Sequence, residues 1–255
     1  MAKAEKIRLI ARLEVKNDQL VKGVQLEGLR KLGDPHDFAR AYYEAGIDEI
    51  LYLDIVASLY ERNNLSQIVR RTTGDVFIPI TVGGGLRSVE DVHKILQQGA
   101  DKAAINTAAI KDPSIITRVA EAYGSQCMVL SIQAKRRRDG SGWEAYYDNG
   151  REHSGLDAVE WAKRGAALGA GEILLTSVDS EGLGRGMDRE LIRAVAGAVN
   201  VPVIAAGGAA GPEDVALAAE DGACAVALSS LLHYKRIGVG QLKAALAARG
   251  VGVRR

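Results

Sequence analysis

Apolar residues along this chain gather into short runs separated by amphipathic stretches. Eight runs rich in branched and apolar residues read as strands: 7–14, 49–54, 77–82, 101–105, 127–132, 172–177, 201–206 and 223–228. The intervening segments carry helical spacing, as in "DPHDFARAYYEAG" and "SVEDVHKILQQGA". The first opens with Asp34 as an N-cap and Pro35 at the first helical position. Ser88 followed by Asp91 has the spacing of a capping box, with Asp in place of Glu. Eight β-then-α units in 255 residues predict an α/β fold, a single (β/α)8 barrel over residues 1–255. An open doubly wound sheet is the structural alternative, but its GxGxxG turn is absent.

The pattern also repeats. "GIDEILYLDIVAS" matches "GAGEILLTSVDSE", and "IPITVGGGLRSVEDVHKILQQGADKAAIN" matches "VPVIAAGGAAGPEDVALAAEDGACAVALS". Glu49 and Glu172 are 123 residues apart, as are Pro79 and Pro202, and Gly99 and Gly222. One offset running through both blocks implies two half-barrels, about residues 1–123 and 124–255. "LEVK" and "IQAK" match at 119 residues, which makes Glu14 and Gln133 counterparts at two strand ends across the barrel mouth.

The glycines take meaning from this symmetry. Gly83-Gly84-Gly85 ends one strand and Gly207-Gly208 ends its mate. Active sites of such barrels lie at the C-terminal strand ends. Glycine there lets backbone N–H groups approach a phosphate closely, and the next helix N-terminus adds its dipole. One strand later come Asn106-Thr107 and Ser229-Ser230, small hydroxyl or amide residues in matching places. Plain tight βα turns would also use glycine. Two opposed cups imply a small-molecule substrate with phosphates at both ends.

Composition narrows the rest. The chain is 47% hydrophobic and 25% charged with net charge +1, which points away from nucleic acid and from a membrane surface. The basic run Lys135-Arg136-Arg137-Arg138 reads as a solvated loop or as a phosphate or partner contact. Cys127 and Cys224 sit in apolar runs, as inert buried thiols of a reducing compartment do. No CxxC or HxxxH spacing and no long apolar stretch occurs, so we expect no metal, no cofactor and a cytoplasmic location.

Several segments together resemble the cyclase subunit of imidazole glycerol phosphate synthase: "VKGVQLEGLRKLGDP", "DEILYLDIVAS", "IPITVGGGLRS", "GADKAAINTAAI", "YGSQC", "GAGEILLTS" and "VPVIAAGGA". The resemblance extends from about residue 6 to residue 254. It implies a heterodimer with a glutaminase, ammonia passing through the barrel interior, and ring closure on a bisphosphate aminoimidazole precursor at the mouth. It implies that Gly85, Asn106, Thr107, Thr176, Gly182, Gly208, Ser229 and Ser230 hold substrate or phosphate. Lys22 corresponds to the family's flexible active-site loop lysine, and Arg8, Glu49, Lys102 and Glu172 to its ammonia gate, with Asp101 on the partner face.

The family's two catalytic aspartates fall at Glu14 and Gln133. Glu keeps a carboxylate one methylene farther out, and Gln neither accepts nor delivers a proton near neutral pH. Val56, Glu181, Leu183 and Ala206 also depart from the family's polar residues, and Arg12 stands inside the barrel where a small residue is usual. If Arg12 pairs with Glu14, the carboxylate stays ionised. Three readings follow besides the ordinary cyclase. One is a paralogue that channels ammonia to another acceptor, as in sugar amidination. The second is a re-purposed or engineered barrel with Glu14 as a desolvated base of raised pKa. The third is a binding scaffold without turnover.

Overall fold

The structure is a computed structural model that describes residues 6–56 and 65–254. Its strands are β1 (Arg8–Lys16), β2 (Gln19–Val24), β3 (Glu27–Gly33), β4 (Glu49–Asp54), β5 (Ile80–Gly83), β6 (Lys102–Ile105), β7 (Met128–Arg136), β8 (Trp143–Tyr147), β9 (Glu152–Asp157), β10 (Glu172–Ser177), β11 (Val203–Ala206) and β12 (Ala225–Leu228). The described helices are α1 (Pro35–Glu44), α2 (Leu65–Thr72), α3 (Val89–Gln97), α4 (Thr107–Lys111), α5 (Ser114–Tyr123), α6 (Ala158–Ala167), α7 (Arg189–Ala198), α8 (Pro212–Glu220), α9 (Ser230–His233) and α10 (Val239–Ala248).

Eight strands pair in parallel in the cyclic order β1, β4, β5, β6, β7, β10, β11, β12, and β12 returns to β1. This is the closed (β/α)8 barrel that the chain's pattern predicts. The strands β4 and β10, β5 and β11, and β6 and β12 each begin 123 residues apart. Along β1, alternation sends Leu9, Ala11, Leu13 and Val15 outward against the helices. Arg8, Ile10, Arg12 and Glu14 therefore point inward. The expected capping also forms: the Asp34 side chain accepts from His36 N, and Ser88 Oγ accepts from Asp91 N.

Two features differ from the sequence expectation. Strands β5 and β11 begin later than expected, at Ile80 and Val203. Pro79 and Pro202 lack an N–H for the ladder and contribute only carbonyls, to Ile50 N and Ile173 N. The second difference is a pair of hairpins, β2–β3 after β1 and β8–β9 after β7. Pairing with them lengthens β1 to Lys16 and β7 to Arg136, so Lys135 and Arg136 lie on a strand and not in a loop. Arg136 pairs with Glu190 and stacks over Trp143. The hairpins meet over the mouth, where a Cβ on Gly150 would touch Leu26 of the first hairpin.

Cys127 ends a short 3-10 turn before β7, and burial pushes its thiol up. Cys224 precedes β12 and is only half-buried, which differs from the expected buried thiol. Among the described residues, no helix is long and apolar enough to cross a membrane.

Gly84 and Gly207 show how strictly the halves match. Their φ angles are +95° and +98°, and a Cβ on either would collide with the carbonyl of Asp54 or Ser177, at the ends of β4 and β10. Gly84→Ala and Gly207→Ala should each cost about 3 kcal/mol, a fall in Tm of roughly 6–12 °C by calorimetry.

Candidate active site

The base of the barrel is closed by charge. Arg8 bonds Glu49 at 2.7 Å and also Glu172, while Lys102 reaches Glu172 at 2.8 Å and Glu49 at 3.4 Å. Two cations and two anions from β1, β4, β6 and β10 thus form one ring at the strand starts. Asp101 stands apart: its Oδ2 accepts from Ile80 N at 2.7 Å and so fixes a strand start. Above the ring lies an apolar layer that includes Ile10, Leu51, Val129, Leu174 and Ile204.

A second charged cluster caps that layer. Arg12 Nη2 lies 2.7 Å from Glu14 Oε1, and Lys22 Nζ lies 3.0 Å from Glu14 Oε2. Glu181 closes the group through Lys22 and, at 3.4 Å, through Arg12. All four residues are at most 3% exposed. Charges this deep persist only when compensated, and here two cations meet two carboxylates. Burial pushes the Glu14 carboxyl up, but Lys22 and Arg12 outweigh it and hold it below the ordinary carboxylate range. Burial likewise pushes the Lys22 ammonium down, and Glu14 and Glu181 reverse the shift. The expectation of a desolvated Glu14 with raised basicity is therefore wrong.

His233 supports this cluster from behind. Its Nε2 sits 3.0 Å from the Arg12 carbonyl and its Nδ1 2.7 Å from the Tyr42 hydroxyl. A carbonyl only accepts, so Nε2 carries the proton and Tyr42 donates to Nδ1. Burial pushes the imidazole down to about 4, so it is neutral at physiological pH.

Among the described residues, the mouth opens mainly over the first half. A cavity of about 390 Å³ extends from Gly84–Gly85 past Thr107 to Gln133, Thr176 and Arg12. Glu14 does not line it. Arg12 stands at the cavity wall and pairs with Glu14, so Glu14 and Gln133 do not face one shared space as the sequence suggested. Lys22 is also displaced from expectation: it lies on β2, drawn inward by two carboxylates, and not on an open loop. Asn106 Nδ2 donates to the carbonyls of Ser131 and Tyr146, and Thr107 Oγ1 accepts from Asp148 N. Gly182, Gly208, Ser229 and Ser230 line a second, separate cavity in the other half.

Sequence reasoning missed Lys111 and Asp148 at the first cavity, and His233. Asp148-Asn149-Gly150 was a legible turn signal, with φ positive at all three. His233 sits in "LLHY" directly after Ser229-Ser230, but nothing in its spacing announces the contact with Arg12.

A closed (β/α)8 barrel built of two repeating halves, charge-sealed at its base and open at its glycine-lined mouth, defines a small-molecule enzyme scaffold. Comparison places it further: the family model described as histidine biosynthesis protein matches residues 8–238, and the chain belongs to that family. It is similar to imidazole glycerol phosphate synthase subunit HisF of Legionella pneumophila, at 59% identity over 202 residues, 79% of this chain and 95% of that protein. The subunit of the same name from Mycobacteroides abscessus is 49% identical over 97% of this chain and 98% of its own. That of Dehalococcoides mccartyi is 47% identical over 97% of each.

The cluster makes two predictions. Lys22→Met leaves two carboxylates buried against one guanidinium and should cost about 3–5 kcal/mol in urea denaturation. Adding Glu181→Gln should recover at least half of that loss, a coupling read from the double-mutant cycle. The second concerns pH. The folded His233 value of about 4 lies below its ordinary 6.5, so the unfolded state binds the extra proton between them. Its contribution to stability is complete above pH 6.5 and falls by about 3 kcal/mol as pH drops to 4. His233→Gln should flatten that slope in denaturation curves taken across the window.

Proposed function

We propose that this chain is the synthase subunit of a glutamine-dependent enzyme of the imidazole glycerol phosphate synthase type, working in the cytoplasm as a heterodimer with a glutaminase. The observation that carries the reading is the stacking, inside one barrel, of a charged entrance, an apolar interior and a ligand-sized cavity at the mouth. Ammonia enters past Arg8, Glu49, Lys102 and Glu172. The apolar layer at Ile10, Leu51 and Leu174 favours the neutral molecule, because stripping water from ammonium costs far more. Emerging beside Arg12, a permanent cation, it stays unprotonated and nucleophilic. The phosphorylated acceptor lies with its phosphate at Gly84–Gly85 and Thr107, where glycine admits close backbone approach. Gln133 reaches the same cavity and orients the acceptor by hydrogen bonds.

A second reading concerns the acceptor. Ring closure calls for a general acid and a general base, and the two positions where the family carries its aspartates supply neither in working order. Glu14 is held ionised between Arg12 and Lys22 and lies off the cavity, and Gln133 is an amide. This favours amination of an acceptor that needs no ring closure.

The deciding experiment combines the chain, its glutaminase and glutamine with the bisphosphate aminoimidazole precursor. Product formation, raised about a hundredfold or more by Gln133→Asp, supports ring closure, since a placed proton-transfer group contributes about 10²–10⁴. Glutaminase association and stimulation without product supports the second reading. No association and no stimulation contradicts both.

A further inference from the structure

At the inner end of the mouth cavity, a buried donor and a buried acceptor both lack partners. Arg12 commits its terminal nitrogens to Glu14, Glu181 and Thr176, but its Nε hydrogen meets no acceptor among the described residues. Gln133 Oε1 is likewise buried without a donor. Both residues line the cavity. The Arg12 guanidinium reaches across the barrel to within 3.3 Å of Thr176 Oγ1, and Thr176 on β10 is the ladder partner of Gln133 on β7. Partners on adjacent strands project side by side on one face, so the free N–H and the free C=O meet at one end of the cavity.

Buried donors and acceptors are seldom left unpaired, because each has lost its water without a replacement. A donor beside an acceptor matches a ligand group of the inverse pattern, a carbonyl oxygen next to an O–H or N–H. Charge narrows the choice further. Arg12 and Lys22 already balance Glu14 and Glu181. The other charged residues of the lining, Asp54, Arg87, Lys111, Asp112 and Asp148, belong to the turns around Gly84–Gly85 and Thr107. An anionic group at the inner end would therefore meet Glu14 with no cation left over, whereas a neutral carbonyl needs only the N–H.

We infer that Arg12 and Gln133 form a carbonyl seat. Arg12 Nε–H donates to the carbonyl oxygen of the acceptor, and Gln133 Oε1 accepts from the hydroxyl beside it, the pattern of an α-hydroxyketone. The inference rests on the amination reading above and deepens it. Ammonia attacking that carbonyl forms a C–N bond, and the C=O π pair moves onto the oxygen held by Arg12. The proton shed by nitrogen ends on the same oxygen, which leaves a hydroxyl and an amine on one carbon.

Difference infrared spectroscopy of the full chain tests the seat, with dihydroxyacetone phosphate labelled with carbon-13 at the carbonyl, and with propyl phosphate as the control lacking carbonyl and hydroxyl. We expect the carbonyl band of the bound ketone at lower wavenumber than in the free ligand, and propyl phosphate bound about tenfold more weakly. Arg12→Lys keeps a cation beside Glu14 but lacks the Nε–H, and should return the band to its free position. Gln133→Leu leaves the four-residue charged cluster whole and should weaken the ketone about tenfold while sparing propyl phosphate. An unshifted band in the unaltered chain, a shift that survives Arg12→Lys, or equal loss of both compounds in Gln133→Leu overturns the seat. If neither phosphorylated compound binds, the phosphate reading fails, and the band of labelled dihydroxyacetone at high concentration decides the seat by the same criterion. None of these readouts needs turnover, so the seat is judged apart from the amination tested above.

Discussion

Two carboxylates and two cations locked together inside the upper barrel set the terms for everything around them. Glu14 and Glu181 tolerate burial because Arg12 and Lys22 neutralise them, and neither cation would enter an apolar barrel alone. The consequences spread outward. Lys22 draws the β2–β3 hairpin down onto the loop after β10, and the hairpin shuts the second glycine turn. Arg12 interposes itself between Glu14 and the open cavity. A strand-end carboxylate that elsewhere could exchange protons with a substrate becomes here a fixed negative charge.

The interior below fits the ammonia delivery proposed for this chain. Charge sits at both ends of the barrel and apolar side chains fill the middle. Neutral ammonia crosses such a layer far more readily than an ion does. Alternation along each strand produces the stacking, since inward positions on β1 read Arg, Ile, Arg, Glu from base to mouth. His233 and Tyr42 hold the Arg12 backbone from outside the barrel, linking α9 and α1 to the centre of the site.

Much of this was written in the chain as local pattern. Apolar runs marked the eight barrel strands, the 123-residue offset marked the halves, and Asp34-Pro35 marked a helix start. Period-two spacing places Arg12 and Glu14 on one inward face, but it left the partner of Arg12 open, and the ion pair is visible only in the structure. The hairpins were less visible, because β3 carries no buried residue and its exposed polar positions hide the strand period. Lys22 and Glu181 could not be joined from sequence, being 159 residues apart and brought together only by barrel closure. The inequality of the two glycine turns was equally hidden. The turns share two glycines at one offset, and nothing in the sequence announces the hairpin that packs over the second.

The measurement closest to the centre of this account is the ionisation of Glu14 itself. Carbon-13 NMR of glutamate-labelled protein, with the Glu14 resonance assigned by its loss in Glu14→Gln, reads the carboxyl state across pH. The Glu14 carboxylate should remain ionised below the ordinary value of 4.5. A midpoint near neutrality would contradict it, because a Glu14 free of Arg12 and Lys22 in that burial would titrate high.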